Sequence, residues 1–336
     1  MTTPATSTLS MSTEPALPPR PMLRRTVLER FRDDWHSFVI YIGFTLFFLL
    51  FAVLLHSDGF LSSNNLLNII RQTATISVMA VAMTFVIACA EIDLSIGSVA
   101  GLSSVVTAMT IAHYGLAAGI AAGLGVGLLV GVINGGLVTM LNIPSFLVTL
   151  GMLGIAVGVA QWITSSAPQP ILDNRFNMIF GSGDIGRIPG LLVWSAIAVS
   201  LGAIVMAKTG YGRRVLATGG NRVAAEFTGI NTRRIKFSVL VIMSVVAALA
   251  GMLYAGRLQS GRFQWGDGDE LSVIAAVILG GTSLFGGSGR VVGSLFGALL
   301  IGLINNALIL AGLDTSQQQV VRGLIIIVSV ALGRRR

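Results

Sequence analysis

"ATGGNRVAAEFTGINTRRIKF", residues 217–237, is a polar island in a greasy chain, and its reading decides the fold. Seven of the 22 Lys and Arg residues (Lys208, Arg213, Arg214, Arg222, Arg233, Arg234 and Lys236) lie in and just before it, against one acid, Glu226. Long apolar runs flank it on both sides. Basic residues gathered between apolar runs are the pattern of cytoplasmic loops in a membrane protein.

Composition agrees. Hydrophobic residues make up 54% of the 336, charged residues 11%, and the mean hydropathy is +0.83. Soluble domains carry about 25% charged residues, so this chain has too few to cover a soluble surface. An all-α polytopic membrane protein is expected. The pI of 10.7 would suit a nucleic-acid partner, but the basic residues sit in short segments between apolar runs, which excludes that class.

A helix needs about 20 mostly apolar residues to cross the hydrocarbon core. Read at that length, the sequence predicts about ten spans: 38–55, 69–90, 94–113, 116–140, 145–166, 190–207, 236–256, 271–285, 291–311 and 317–333. The Gly-rich 279–290 region can also be read as re-entrant. Ten spans put both termini on one side. If that side is the cytoplasm, it holds sixteen of the 22 basic residues, the Arg334–Arg336 tail included, as the positive-inside rule asks. The predicted organisation is a partly disordered tail over 1–35 and a transmembrane domain over 36–333. A cytoplasmic loop at 208–236 interrupts that domain, and a basic tail closes the chain at 334–336. "GVINGG" (131–136) and "GLINNA" (302–307) echo each other five spans apart. That spacing gives an inverted pseudo-repeat of five plus five helices, a common transporter plan, or a chance match between Gly-rich helices.

Catalytic motifs are missing. "GSGDIG" (181–186) fits a dinucleotide fingerprint but follows no strand, and "GAIVMAKT" (202–209) has Ala207 where a P-loop needs Gly. His36, His56 and His113 fall near span ends, and Cys89 is the single cysteine. No catalytic residue, metal site or cofactor is expected, and the protein is not expected to be an enzyme.

Within the island the spacing predicts a helix over 222–228. Asn221 is placed to N-cap it and Gly229 to close it in the left-handed conformation. Val223, Ala224 and Phe227 make a narrow apolar stripe, and Arg222 and Glu226 are i,i+4 neighbours. So short a helix is marginal in water. It needs something to dock on, either the lipid surface or a groove on a cytoplasmic partner.

Three stretches resemble the permease subunits of ribose-type (monosaccharide) ABC importers. The island is similar to their cytoplasmic coupling segment through Gly219, Gly220, Asn221, Ala224, Ala225, Gly229 and Ile230. "EIDLSIGSVAGLSSV" (91–105) is similar to their IDLS-x-G-S signature, and residues 274–313 resemble their C-terminal hallmark. Glu226 departs from a position where a basic residue is common, and Glu91 from one where Gly is frequent.

The resemblance implies an inner-membrane permease that forms the pathway for a monosaccharide and has no ATPase of its own. Its partners would be a second permease subunit, a cytoplasmic ABC ATPase and an extracytoplasmic sugar-binding protein. The coupling residues would be those seven with Glu226 and Phe227. Pathway or gate candidates are Asp93, Ser95, Asn134, Gly280, Gly281, Thr282, Asn305 and Asn306, though capping and helix packing explain the same residues. The loop at 167–189, with Phe176 and Phe180, is a candidate docking surface for the binding protein. The alternatives are a permease for a polyol, a sugar-derived signal or an amino acid, and an ion-gradient-driven transporter. The last would want carboxylates within the bilayer, and nearly every acid lies in a loop or at a span end.

Overall fold

The structure is a computed structural model describing residues 35–186 and 188–333; the tails expected over 1–35 (apart from Trp35) and 334–336 lie outside the described residues. The fold below belongs to the unit His36–Arg336. Its helices of six or more residues are α1 (Trp35–Leu54), α2 (Ser63–Ala88), α3 (Ile96–Tyr114), α4 (Leu116–Met140), α5 (Ser145–Thr164), α6 (Gly190–Lys208), α7 (Gly210–Gly220), α8 (Arg222–Phe227), α9 (Thr232–Leu258), α10 (Asp269–Leu279), α11 (Val291–Leu310) and α12 (Thr315–Gly333); shorter helical turns lie at Asn174–Asn177 and Met178–Ser182. Four two-residue strands form two ladders: β1 (Gln169–Pro170) with β4 (Ser260–Gly261), and β2 (Asp184–Ile185) with β3 (Ile188–Pro189).

Among the described residues, seven helices are long and apolar enough to cross a membrane: α2, α3, α4, α5, α6, α9 and α11. The protein is therefore a polytopic all-α membrane protein. The span expected over 271–285 is not one helix. α10 stops at Leu279 because Gly281 takes φ +88, and the next backbone N–H groups turn back, Gly281 to Ile278 and Thr282 to Val277. These are the bonds of a Schellman stop. With 11 residues, α10 reaches about 16 Å at 1.5 Å per residue, half of a hydrocarbon core.

The interior is built around α2, which is buried from Thr73 to Ala88 and packs with α6, α9, α10 and α11. Small residues set the spacing. Gly119, Gly123, Gly127, Gly131 and Gly135 recur at every fourth position of α4, one row along its surface. A methyl group built on Gly127 would lie 2.6 Å from the Ser244 carbonyl oxygen of α9, so backbones meet here where side chains would hold them apart. By contrast α4, α5 and α6 turn Leu128, Leu129, Leu150, Ile155, Leu201 and Ile204 outward. That surface suits lipid or another apolar partner, not water.

A candidate coupling site on the basic loop

The loop 208–236 folds into two helices. α7 had no counterpart in the sequence reading; it continues α6 after Thr209, whose hydroxyl accepts from Gly212 N (3.3 Å). The predicted helix over 222–228 appears as α8. Asn221 Oδ1 accepts from Ala224 N at 3.0 Å and caps it. Gly229 takes φ +83, Gly229 N donates to Glu226 O (3.0 Å) and Ile230 N to Ala225 O (3.1 Å). α8 thus ends in the same Schellman stop as α10, and only glycine adopts that φ without strain.

α8 is two-faced. Val223 is 60% and Phe227 87% exposed, and Ala224 lies open beside them, whereas Ala225 is turned inward at 4%. Of the expected stripe, Val223, Ala224 and Phe227 are therefore free to meet a partner, and Ala225 fastens the helix from beneath. Arg222 Nε donates to Glu226 Oε1 (2.9 Å), and Thr232 Oγ1 donates to the same oxygen (2.6 Å). The bonds from Thr232 and Arg222 hold the Glu226 carboxyl below its ordinary range. They also tie α8 to the first turn of α9.

Behind α8 the chain also touches the bundle backbone to backbone. A methyl on Gly219 would sit 1.9 Å from the Ala88 carbonyl oxygen at the end of α2. Gly287 N donates to that same oxygen (3.0 Å), and a methyl on Gly286 would lie 2.6 Å from Gly219 O. The coupling glycines and the 280–290 loop, read separately in the sequence, are thus brought together. Phe285, exposed at 72%, adds an apolar side chain on that loop. Thr282 is buried and its hydroxyl accepts from Arg290 N (3.2 Å), closing the loop, while Gly280 packs backbone to backbone on Gly293 of α11.

The connector 89–95 is buried too. Lys236 of α9 pairs with Glu91, and the Cys89 thiol is pushed up to about 12 by burial, with Glu91 adding to the effect. Asp93 Oδ1 accepts from Ser95 N (2.9 Å) and Ser95 Oγ (2.7 Å), and Asn134 Nδ2 donates to Ser95 Oγ (3.2 Å). Ile92 N and Leu94 N donate to the hydroxyls of Ser145 and Thr149 on α5. Asp93, Ser95 and Asn134 therefore form one enclosed cluster that fixes irregular backbone. Asn306 and Asn65 exchange two hydrogen bonds (2.9 and 3.0 Å) between α11 and α2; Asn305 is half-buried next to it and is also engaged. On the opposite side, Phe176 and Phe180 of the 167–189 loop are buried, stacked on each other at 4.9 Å. The apolar side chains that loop shows outward are Leu172, Met178, Ile179 and Ile188. The sequence reading passed over 259–268, although "GRFQWGDG" (261–268) carries Arg262 and Asp267 between two apolar helices.

The helices long and apolar enough to cross a membrane thus carry, at one end, a capped helix with an exposed apolar face, tied by backbone contact to the bundle interior. The chain belongs to the family described as "Branched-chain amino acid transport system / permease component", whose model matches residues 65–330. It is 41% identical to the probable ABC transporter permease protein YphD of Escherichia coli (strain K12), over 82% of this chain and 83% of that one. It is 39% identical to the ribose import permease protein RbsC of Bacillus subtilis (strain 168), over 87% and 91% of the two chains. With the fructose import permease protein FrcC of Rhizobium meliloti the identity is 35%, over 92% and 89%. No solved structure matches the chain.

Proposed function

We propose that the chain is the membrane permease subunit of an ABC importer for a monosaccharide, with α8 as the element a cytoplasmic ATPase grips. The exposed Phe227 and Val223 on a helix capped at both ends carry the coupling assignment. Relatives named for ribose, L-arabinose and fructose carry the substrate class. In this reading the basic loop faces the cytoplasm of a cell with an inner membrane. About ten crossings, counting α1, α12 and the stretch 259–279 that ends in α10, bring both termini to that side. The two Gly-rich helices α4 and α11 would be counterparts in a five-plus-five inverted repeat. Two permease subunits enclose the pathway, and an extracytoplasmic binding protein delivers the sugar to the side of the 167–189 loop.

Movement of α8 would reach the bundle through Gly219 and Gly220, the 280–290 loop with Gly280, Gly281 and Thr282, and the end of α2. The Asp93–Ser95–Asn134 cluster and the Asn65–Asn306 pair are best placed as the fixed supports against which that loop moves. The family description favours a second reading, an amino acid as cargo. Uptake of labelled ribose, arabinose and fructose against leucine separates the two.

Coupling is tested by co-purification with the ABC ATPase. Wild type retains it; Phe227→Asp wets the exposed face and Gly229→Pro forbids φ +83, and both release it while still inserting in the membrane. Equal retention by all three chains would place the grip elsewhere.

A further inference from the structure

Between α9 and α10 the chain does something lipid does not tolerate. After β4 it runs back along α3 without helix, its place fixed by close backbone approaches. A methyl on Gly261 would lie 2.4 Å from Ser104 O, one on Gly101 2.4 Å from Phe263 O, and one on Gly97 2.1 Å from Gly266 O. Ser104 to Gly97 is two turns of a helix that itself crosses the membrane, about 10 Å at 1.5 Å per residue. The Ser104 hydroxyl pins the run by accepting from Arg262 N (3.1 Å), and Trp265 Nε1 donates to Ser260 O (2.7 Å). The segment thus lies alongside a spanning helix, inside the thickness of the bilayer.

Irregular backbone at that depth persists only where protein buries it or where it borders a water-filled cavity. One side of this segment meets the first condition: Gly261 and Gly266 are buried against α3. The other side does not. Arg262, Gln264 and Asp267 are exposed, and the Arg262 guanidinium lies 5.3 Å over the half-buried Trp265 ring. Ionisable side chains at such depth are strongly disfavoured against lipid. This face is made for water.

We propose that residues 262–267 form a wall of the translocation pathway, and that Arg262, Gln264, Trp265 and Asp267 recognise a polyhydroxylated solute as it passes. A carboxylate accepts from sugar hydroxyls, a guanidinium donates to them, an amide does both, and an indole face covers the C–H side of a sugar ring. The substrate half of this inference rests on the monosaccharide reading above; the wall itself does not.

The test uses the complete importer complex in membrane vesicles and a membrane-impermeant thiol reagent. The native Cys89 is buried, so this chain adds no background of its own, and labelling is read on this chain alone. Gln264→Cys and Asp267→Cys are compared with Leu201→Cys and Ile204→Cys on the outward apolar face of α6. The expected result is labelling at 264 and 267, none at 201 and 204, and slower labelling when ribose, arabinose or fructose is present. Uptake by Asp267→Asn should show KM raised about tenfold with little change in maximal rate, since a hydrogen bond to a charged group contributes about 1.5–3 kcal/mol. No labelling at 264 and 267, in a complex that keeps its ATPase and transports, overturns the proposal: a second copy or lipid then covers the face. Labelling slowed by leucine and by no sugar leaves the wall standing and removes the monosaccharide reading instead.

Discussion

The two ends of α10 are finished differently. At its start, side-chain hydrogen bonds are added to the close backbone approaches: Ser104 with Arg262, Trp265 with Ser260, and Tyr254 Oη donating to Asp269 Oδ2 at 2.6 Å. At its finish, backbone lies on backbone: Gly280 on Gly293, Gly286 on Gly219, Gly287 on Ala88. A side-chain hydrogen bond can be exchanged for one to water or solute at small net cost. A backbone contact with no Cβ between has no slack and passes displacement on. In the proposed reading the start of α10, the upper end, serves recognition and its finish, the lower end, transmission.

The largest effect that separates the two ends is expected at Gly219. Gly219→Ala puts a methyl 1.9 Å from Ala88 O, where backbone must move, and overpacking of this kind costs about 1–3 kcal/mol or more. Gly220→Ala meets only the Gly287 Cα at 3.4 Å and should be nearly silent. Uptake at matched membrane abundance is the measurement. Loss in the first and retention in the second supports backbone transmission; equal behaviour of the neighbours breaks the comparison.

At the upper end Ser104→Ala removes the acceptor of Arg262 N and leaves a half-buried N–H unpaired, worth about 1–3 kcal/mol. The segment should then loosen without loss of the ATPase. Proteolysis within 259–268 should quicken while co-purification is unchanged. If Ser104→Ala instead releases the ATPase, the ends of α10 are not separable.

How far the sequence foretold these ends follows from the range of the interactions. Caps are local, and Asn221, Gly229 and the Arg222–Glu226 pair stand in the structure where residue spacing put them. Span boundaries followed apolar runs, so α4, α5, α6 and α11 begin where expected. The contacts of Gly219 with Ala88 and Gly286 join residues far apart in the chain, and no periodicity records them. The same holds for the inward turn of Ala225, since adjacent alanines look alike until the helix is docked. α10 misled because its apolar run continues through "LGGTSLF", and length alone does not tell a half-helix from a spanning one.

A smaller effect is expected at Gly229. A methyl there meets nothing within 4 Å, so the cost is conformational only: φ +83 in an L-residue, about 1–2 kcal/mol. Asn tolerates the left-handed region better than Ala. ATPase retention in increasing salt should therefore rank wild type, then Gly229→Asn, then Gly229→Ala. An Ala variant as good as wild type would mean that the α8 stop does not matter to the grip.

The smallest effect concerns the charge on α8. The carboxyl of Glu226 is lowered by its bonds from Thr232 and Arg222. A carboxyl lowered by folding favours the folded form above its ordinary pKa, and the advantage is lost only as pH falls through the lowered value. Amide protection over 221–230, corrected for intrinsic exchange, should therefore stay level from pH 8 down to the ordinary carboxylate range and fall only below it. Glu226→Gln keeps an oxygen for Thr232 and removes the charge. It should erase that acid-side fall and lower protection at neutral pH by less than about threefold, because exposed ion pairs contribute little to stability. A larger loss at neutral pH would show that charge, rather than the Asn221 cap and the Gly229 stop, holds α8 in place. The lower end of the comparison would then depend on side chains as much as the upper.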